Sequence, residues 1–147
     1  MYFETIIPII VFFFGAIIGS FLNVVILRFR SGRTIGGRSA CMACSKTLTP
    51  GELVPIGSFL SQRGRCTSCK TKISWQYPAV EALTGALFVF VYFRFAYLLP
   101  ASWLLFSILF AYTALIVSVL IVLSVYDIRH KILPDKMVVI FASIALI

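Results

Sequence analysis

Long apolar runs alternate with polar segments along this chain, and the run lengths match membrane crossings rather than the helices of a water-soluble core. Ile6 to Leu27 is 22 residues broken only by Pro8, Gly15, Gly19, Ser20 and Asn23. At about 1.5 Å per residue it spans roughly 33 Å, enough to cross a bilayer. Only Glu4 is charged ahead of it, so it predicts a permanent anchor rather than a cleaved signal, which would carry cations there. A second crossing is predicted from about Ala79 to Leu99, and after Pro100 a third over the 24 uncharged residues Trp103 to Tyr126. An apolar run from Met137 continues for 11 residues to Ile147, about 16 Å of helix and half a bilayer, which predicts a helix cut short.

The expected fold class is all-α: a multi-pass transmembrane helical bundle with a small loop whose two C-x2-C pairs, Cys41/Cys44 and Cys66/Cys69, predict a zinc ribbon. Helix 1 falls in residues 1–28, the loop in 29–78, helices 2 and 3 in 79–126, a polar segment in 127–136 and the start of a further helix in 137–147. Composition agrees: 61% of residues are hydrophobic and 12% charged, too apolar for one soluble core.

Charge then orients the bundle. Of 13 Lys and Arg residues, nine lie from Arg28 to Lys72 and three more are Arg129, Lys131 and Lys136, leaving Arg94 alone elsewhere. This bias predicts a cytoplasmic loop in a plasma-membrane protein whose N-terminus is outside. The net charge of +8 needs no nucleic acid to explain it; anionic lipid headgroups are the expected partner of these cations.

Several polar positions read as structural. Gly15 and Gly19 make a G-x-x-x-G pair with Ser20 and Asn23 near the same face, a pattern that lets helices approach closely. Glu81 is expected in the first turn of helix 2, where it suits the positive end of the helix dipole, and Arg94 near the far end can snorkel. His130 is expected to be a surface residue.

All four cysteines lie in the loop as two C-x2-C pairs, Cys41/Cys44 and Cys66/Cys69, with 21 residues between the pairs. Four soft ligands in this pattern predict one tetrahedral zinc site. The alternatives are two disulfides or four unrelated thiols. A disulfide within a C-x2-C pair closes a small strained ring typical of redox sites, and structural disulfides are rare in a reducing cytoplasm.

Three segments in order carry a resemblance. Gly19 to Ile26 (GSFLNVVI), Ser58 to Glu81 (SFLSQRGRCTSCKTKISWQYPAVE) and Asp127 to Asp135 (DIRHKILPD) resemble the type IV prepilin leader peptidases. The resemblance implies an aspartic membrane endopeptidase that removes the leader of type IV prepilins and pseudopilins at the cytoplasmic membrane face. It also implies methylation of the new N-terminus with S-adenosylmethionine. By the same resemblance Asp127 is one of two catalytic aspartates, Asp135 closes the motif, and Ser20 and Asn23 are candidates for lining the site. From the residues alone, Asp127 could equally pair with Lys131, and Asp135 could equally be a helix N-cap. The family's second aspartate belongs to a Gly-x-Gly-Asp motif that this sequence lacks. The competing expectation is a non-catalytic zinc-binding membrane module, or half of a split protein.

Overall fold

Helical elements account for the regular structure of this computed structural model, which describes residues 2–29, 36–131, 138–139 and 142–143. In chain order, α1 is Tyr2–Arg28, a 3-10 turn is Pro50–Leu53 and α2 is Gly57–Ser61; α3 is Gln76–Phe95, a second 3-10 turn is Ala96–Leu98 and α4 is Trp103–His130. Three of these helices are long and apolar enough to cross a membrane: Thr5–Arg28, Gln76–Leu98 and Trp103–His130. The protein is an all-α bundle of membrane-length helices bearing a four-cysteine loop between the first two.

The glycines of α1 set the closest contact. A Cβ on Gly15 would lie 2.9 Å from the Gly85 Cα, and one on Gly19 would lie 2.9 Å from the Glu81 Cα. Gly85 answers from α3, where a Cβ would lie 2.8 Å from the Phe12 carbonyl oxygen. Backbones meet because no side chain intervenes, which is how helices gain packing where lipid supplies no hydrophobic drive. On the other side of α1, Ile6, Ile9, Ile10, Phe13, Ile17 and Phe21 form an exposed stripe at helical spacing; lipid is the solvent for it.

The packed core lies toward the loop end of the bundle. Leu22 and Ile26 of α1, Val80 of α3 and Ile121, Val122 and Leu123 of α4 form it. Hydroxyls buried in the bundle are satisfied within their own helices: Thr84 Oγ1 donates to the Val80 carbonyl and Ser118 Oγ to the Ala114 carbonyl, both at 2.7 Å. This back-bonding removes the cost of an unpaired polar group.

Two helix ends differ from expectation in ways that matter for the site. Helix α3 begins at Gln76, before the expected Ala79, so Glu81 sits in its second turn, is 7% exposed and is no dipole residue. Helix α4 continues past Tyr126 to His130, so Asp127 lies on the helix, one turn before Lys131 closes it in a left-handed conformation (φ 53°) with its N–H on the Asp127 carbonyl. Asp135 and Met137 lie outside the described residues.

Candidate metal centre and the acidic helix end

The loop is built from one local structure used twice, with every equivalent position offset by the 25 residues that separate Cys41 from Cys66. In the first copy the Cys41 N–H bonds the Lys46 carbonyl and the Ser45 N–H bonds the Cys41 carbonyl, both at 2.9 Å. In the second the Cys66 N–H bonds the Thr71 carbonyl at 2.9 Å and the Lys70 N–H the Cys66 carbonyl at 3.1 Å. A single antiparallel bridge closes each knuckle, Ala40 with Thr47 and Arg65 with Lys72. The residue after each second cysteine takes positive φ, 56° at Ser45 and 58° at Lys70. Non-glycine residues adopt that conformation at a cost of about 1–2 kcal/mol, which the backbone bonds of each knuckle help to offset.

The four thiols converge. The sulfurs of Cys41, Cys44, Cys66 and Cys69 all lie within 4.8 Å of one another, with Cys41 and Cys69 at 3.8 Å. Sulfurs about 2.3 Å from a tetrahedral zinc would be about 3.8 Å apart. All four cysteines are free, so the alternative of two disulfides is not formed. The donor set and its spacing suit one zinc ion.

Hydrogen bonds tune the sulfurs unequally. The Thr71 hydroxyl and N–H draw the Cys69 thiol down to about 6, and the backbone N–H groups of Cys44 and Ala43 lower that of Cys41. For Cys44 the Lys46 N–H favours the thiolate, but hydrogen bonding with Cys69 and the other sulfurs outweighs it and pushes the thiol up to about 11. Negative charge crowded among four sulfurs is what a dication would relieve.

A carboxylate that sequence reasoning passed over ties the knuckles together. Glu52 Oε1 accepts from Lys46 Nζ of the first knuckle at 2.9 Å and from the Thr67 hydroxyl of the second. Its Oε2 accepts from the Thr49 N–H at 2.9 Å and the Thr49 hydroxyl at 3.0 Å. Thr49-Pro50-Gly51-Glu52 is a capping-box pattern and was legible as such; the reach to Thr67 was not. The Thr49 N–H, then the Thr67 and Lys46 bonds, hold the Glu52 carboxyl down at about 2, against an ordinary 4.5. A depressed pKa stabilises the fold fully above the unfolded value and loses that stabilisation as pH falls through the folded one. The stability difference between wild type and Glu52→Gln is therefore expected to be constant above about pH 4.5 and to shrink toward pH 2. Denaturant titrations at several pH values, read by amide exchange in the loop, check this; a difference that grew on acidification would contradict it.

A second carboxylate joins the loop to the bundle. Glu81 Oε2 accepts the Ile56 N–H at 2.7 Å, and the Ser20 hydroxyl of α1 also bonds this carboxyl. Nearby Asn23, 1% exposed, donates to the Tyr77 carbonyl at 3.2 Å and accepts from Gln76 Nε2 at 3.5 Å. Gln76 Oε1 in turn accepts from Arg129 at 3.2 Å. The chain Asn23, Gln76, Arg129 links α1, α3 and α4. It fixes the end of α4, and the exposed Asp127 on it, at the membrane end where the cysteine loop lies. His130 is exposed, its ring 4.4 Å from that of Tyr126.

Residues 13–95 match the model of the bacterial peptidase A24 N-terminal domain. A prepilin leader peptidase/N-methyltransferase of Bacillus subtilis is 39% identical over 136 residues, covering 90% of this chain and 50% of that protein. Proteins of the same name from Myxococcus xanthus and Neisseria gonorrhoeae are 38% and 32% identical, over 99% and 84% of this chain and 42% and 49% of their own lengths. The chain thus spans about half the length of the curated relatives it matches. No solved structure matches.

Proposed function

Because the chain belongs to the bacterial peptidase A24 N-terminal domain family, we propose that it supplies the zinc-bearing, Asp127-bearing portion of a prepilin leader peptidase. The observation that carries this reading is the Arg129 to Gln76 bond, which brings the turn holding Asp127 to the end of the bundle that carries the loop. In this reading the loop is cytoplasmic in the inner (plasma) membrane, by the positive-inside bias, and the substrates are type IV prepilins or pseudopilins, whose scissile bond lies at that surface.

Cys41, Cys44, Cys66 and Cys69 would hold a structural zinc, whose contribution is to fold the loop. Asp127 would carry the peptide hydrolysis with a second carboxyl. Two such acids held close cannot both ionise. One removes a proton from water while the other, protonated, polarises the scissile carbonyl. In this reading Glu81 is a structural acid and not the second catalytic one, which its bond to the Ile56 N–H supports. No Gly-x-Gly-Asp, the motif in which the resemblance puts the partner acid, occurs in these 147 residues. Methylation of the new N-terminus with S-adenosylmethionine rests on the resemblance and on the relatives' names, since the described residues offer no glycine-rich loop to seat that group. Exposed Arg63, Arg65, Lys70 and Lys72 suit anionic lipid headgroups and not a basic prepilin leader.

The test is to express the gene's full reading frame in membranes and incubate it with a prepilin, following leader loss by mass spectrometry. Cleavage that depends on this chain is expected. Intact prepilin, with protein correctly inserted and metal bound, would favour a non-catalytic zinc-bearing membrane module.

A further inference from the structure

Residues 53–63 combine features that a water-exposed connection has no reason to hold together. Glu81 lies five residues past Gln76, the first residue of α3, which is about 7.5 Å along the helix axis. Its bond to the Ile56 N–H ties the loop backbone to a residue inside the membrane-length span of α3. Ile56 is β-branched and sits at φ 60°, ψ −48°, a conformation costly for such a side chain. The bend is kept against its own preference.

On either side of Ile56 the apolar side chains face outward. Phe59 is buried, its ring 4.7 Å from that of Trp75 and packed beneath Gly64. Leu53, Val54 and Leu60 instead are 40%, 51% and 64% exposed, and Trp75, immediately before α3, is 73% exposed. Arg63 and Arg65 follow at once, also exposed. The loop's own acid, Glu52, is taken up by Lys46, Thr49 and Thr67, leaving these cations no carboxylate within the segment.

We propose that residues 53–63, with Trp75, form an interfacial element embedded in the lipid leaflet on the loop side of the membrane. Val54 and Leu60 lie in the headgroup and upper acyl zone, and Arg63 and Arg65 meet lipid phosphates. The tie to Glu81 holds the segment beside the end of the span, where interfacial elements lie roughly 5–10 Å into the leaflet. Exposed apolar side chains next to exposed cations match that zone. A lipid surface is preferred to a protein partner because the segment is tied to a membrane-length helix at two points: Ile56 bonds Glu81 within α3, and Phe59 packs on Trp75, the residue before α3. One consequence is that the four-cysteine centre is held against the membrane surface. The proposal rests on the membrane crossings and not on peptidase activity.

The protein has two tryptophans, Trp75 and Trp103, so replacing both with Phe leaves a silent background. Into it Leu60→Trp and, separately, Val54→Trp are introduced, both at outward-facing positions. Each variant is reconstituted in phosphatidylcholine vesicles containing phosphatidylglycerol. Lipids brominated near the headgroup are expected to quench the indole at either position several-fold more than lipids brominated near the chain ends. Aqueous acrylamide should quench it several-fold less than free tryptophan. Strong acrylamide quenching with no bromine effect at both positions would overturn the proposal. Shielding from acrylamide without quenching by any brominated lipid would overturn it equally, since another protein surface would then be the cover. Neither readout uses prepilin cleavage, so failure here leaves the proposed function standing, and the reverse also holds.

Discussion

Cys66→Ser is expected to unfold the whole cysteine loop while leaving the three membrane-length helices inserted. Among described residues 36–75 only Phe59 and Cys66 are buried, so the loop has no hydrophobic core to fall back on. Structural zinc in small sites is worth about 10–16 kcal/mol, larger than any other interaction available to this segment. Ser45 and Lys70, at positive φ, would relax once the sulfurs were no longer drawn together. One zinc per wild-type chain by elemental analysis, and near none in the variant, is the first measurement. Limited proteolysis is the second: cleavage between Gly36 and Trp75 should accelerate by orders of magnitude in Cys66→Ser, and chelator treatment of wild type should reproduce it. Metal-free wild type with an unchanged proteolysis pattern would refute the zinc reading.

Asp127→Asn, placed in the full reading frame, is expected to lower prepilin cleavage by about 10²- to 10⁴-fold, the usual contribution of a positioned acid or base. The amide keeps the size and most hydrogen bonding of the carboxyl but cannot take up or release a proton. Asp127 is exposed on the last turn of α4 and outside the packed core, so the substitution should not disturb insertion or metal content. Those two measurements separate lost chemistry from lost structure. Methyl transfer to an already processed pilin should persist, because an amine attacking a methyl donor does not need the carboxyl pair. Asp135→Asn, expected from sequence to retain a helix N-cap, should cleave nearly as well as wild type. Full cleavage by Asp127→Asn would remove that residue from the proposed mechanism.

The membrane-length helices and the four-cysteine cluster were legible in the amino-acid sequence because each depends on near neighbours. Whether Ile6 to Leu27 or Trp103 to Tyr126 can cross a bilayer is a matter of summed transfer energy over consecutive residues. Whether Cys41 and Cys44 can share a metal is fixed by a spacing of three along one short turn. The G-x-x-x-G of α1 also announced a close helix contact, though not that Gly85 would be its counterpart.

What only the tertiary structure decided were the jobs of the acids and amides. Glu81 read as a first-turn dipole residue and became the acceptor for Ile56, 25 residues away. Glu52 read as nothing in particular and became the clasp between the two knuckles. Asn23 read as a helix-packing or site-lining residue and Arg129 as one of the orienting cations, while Gln76 drew no reading, yet together they tie three helix ends. The physical reason is that such bonds depend on how far each helix is rotated about its axis and on the path of the loop between them. Hydropathy averages over both quantities; only the packed backbones fix them.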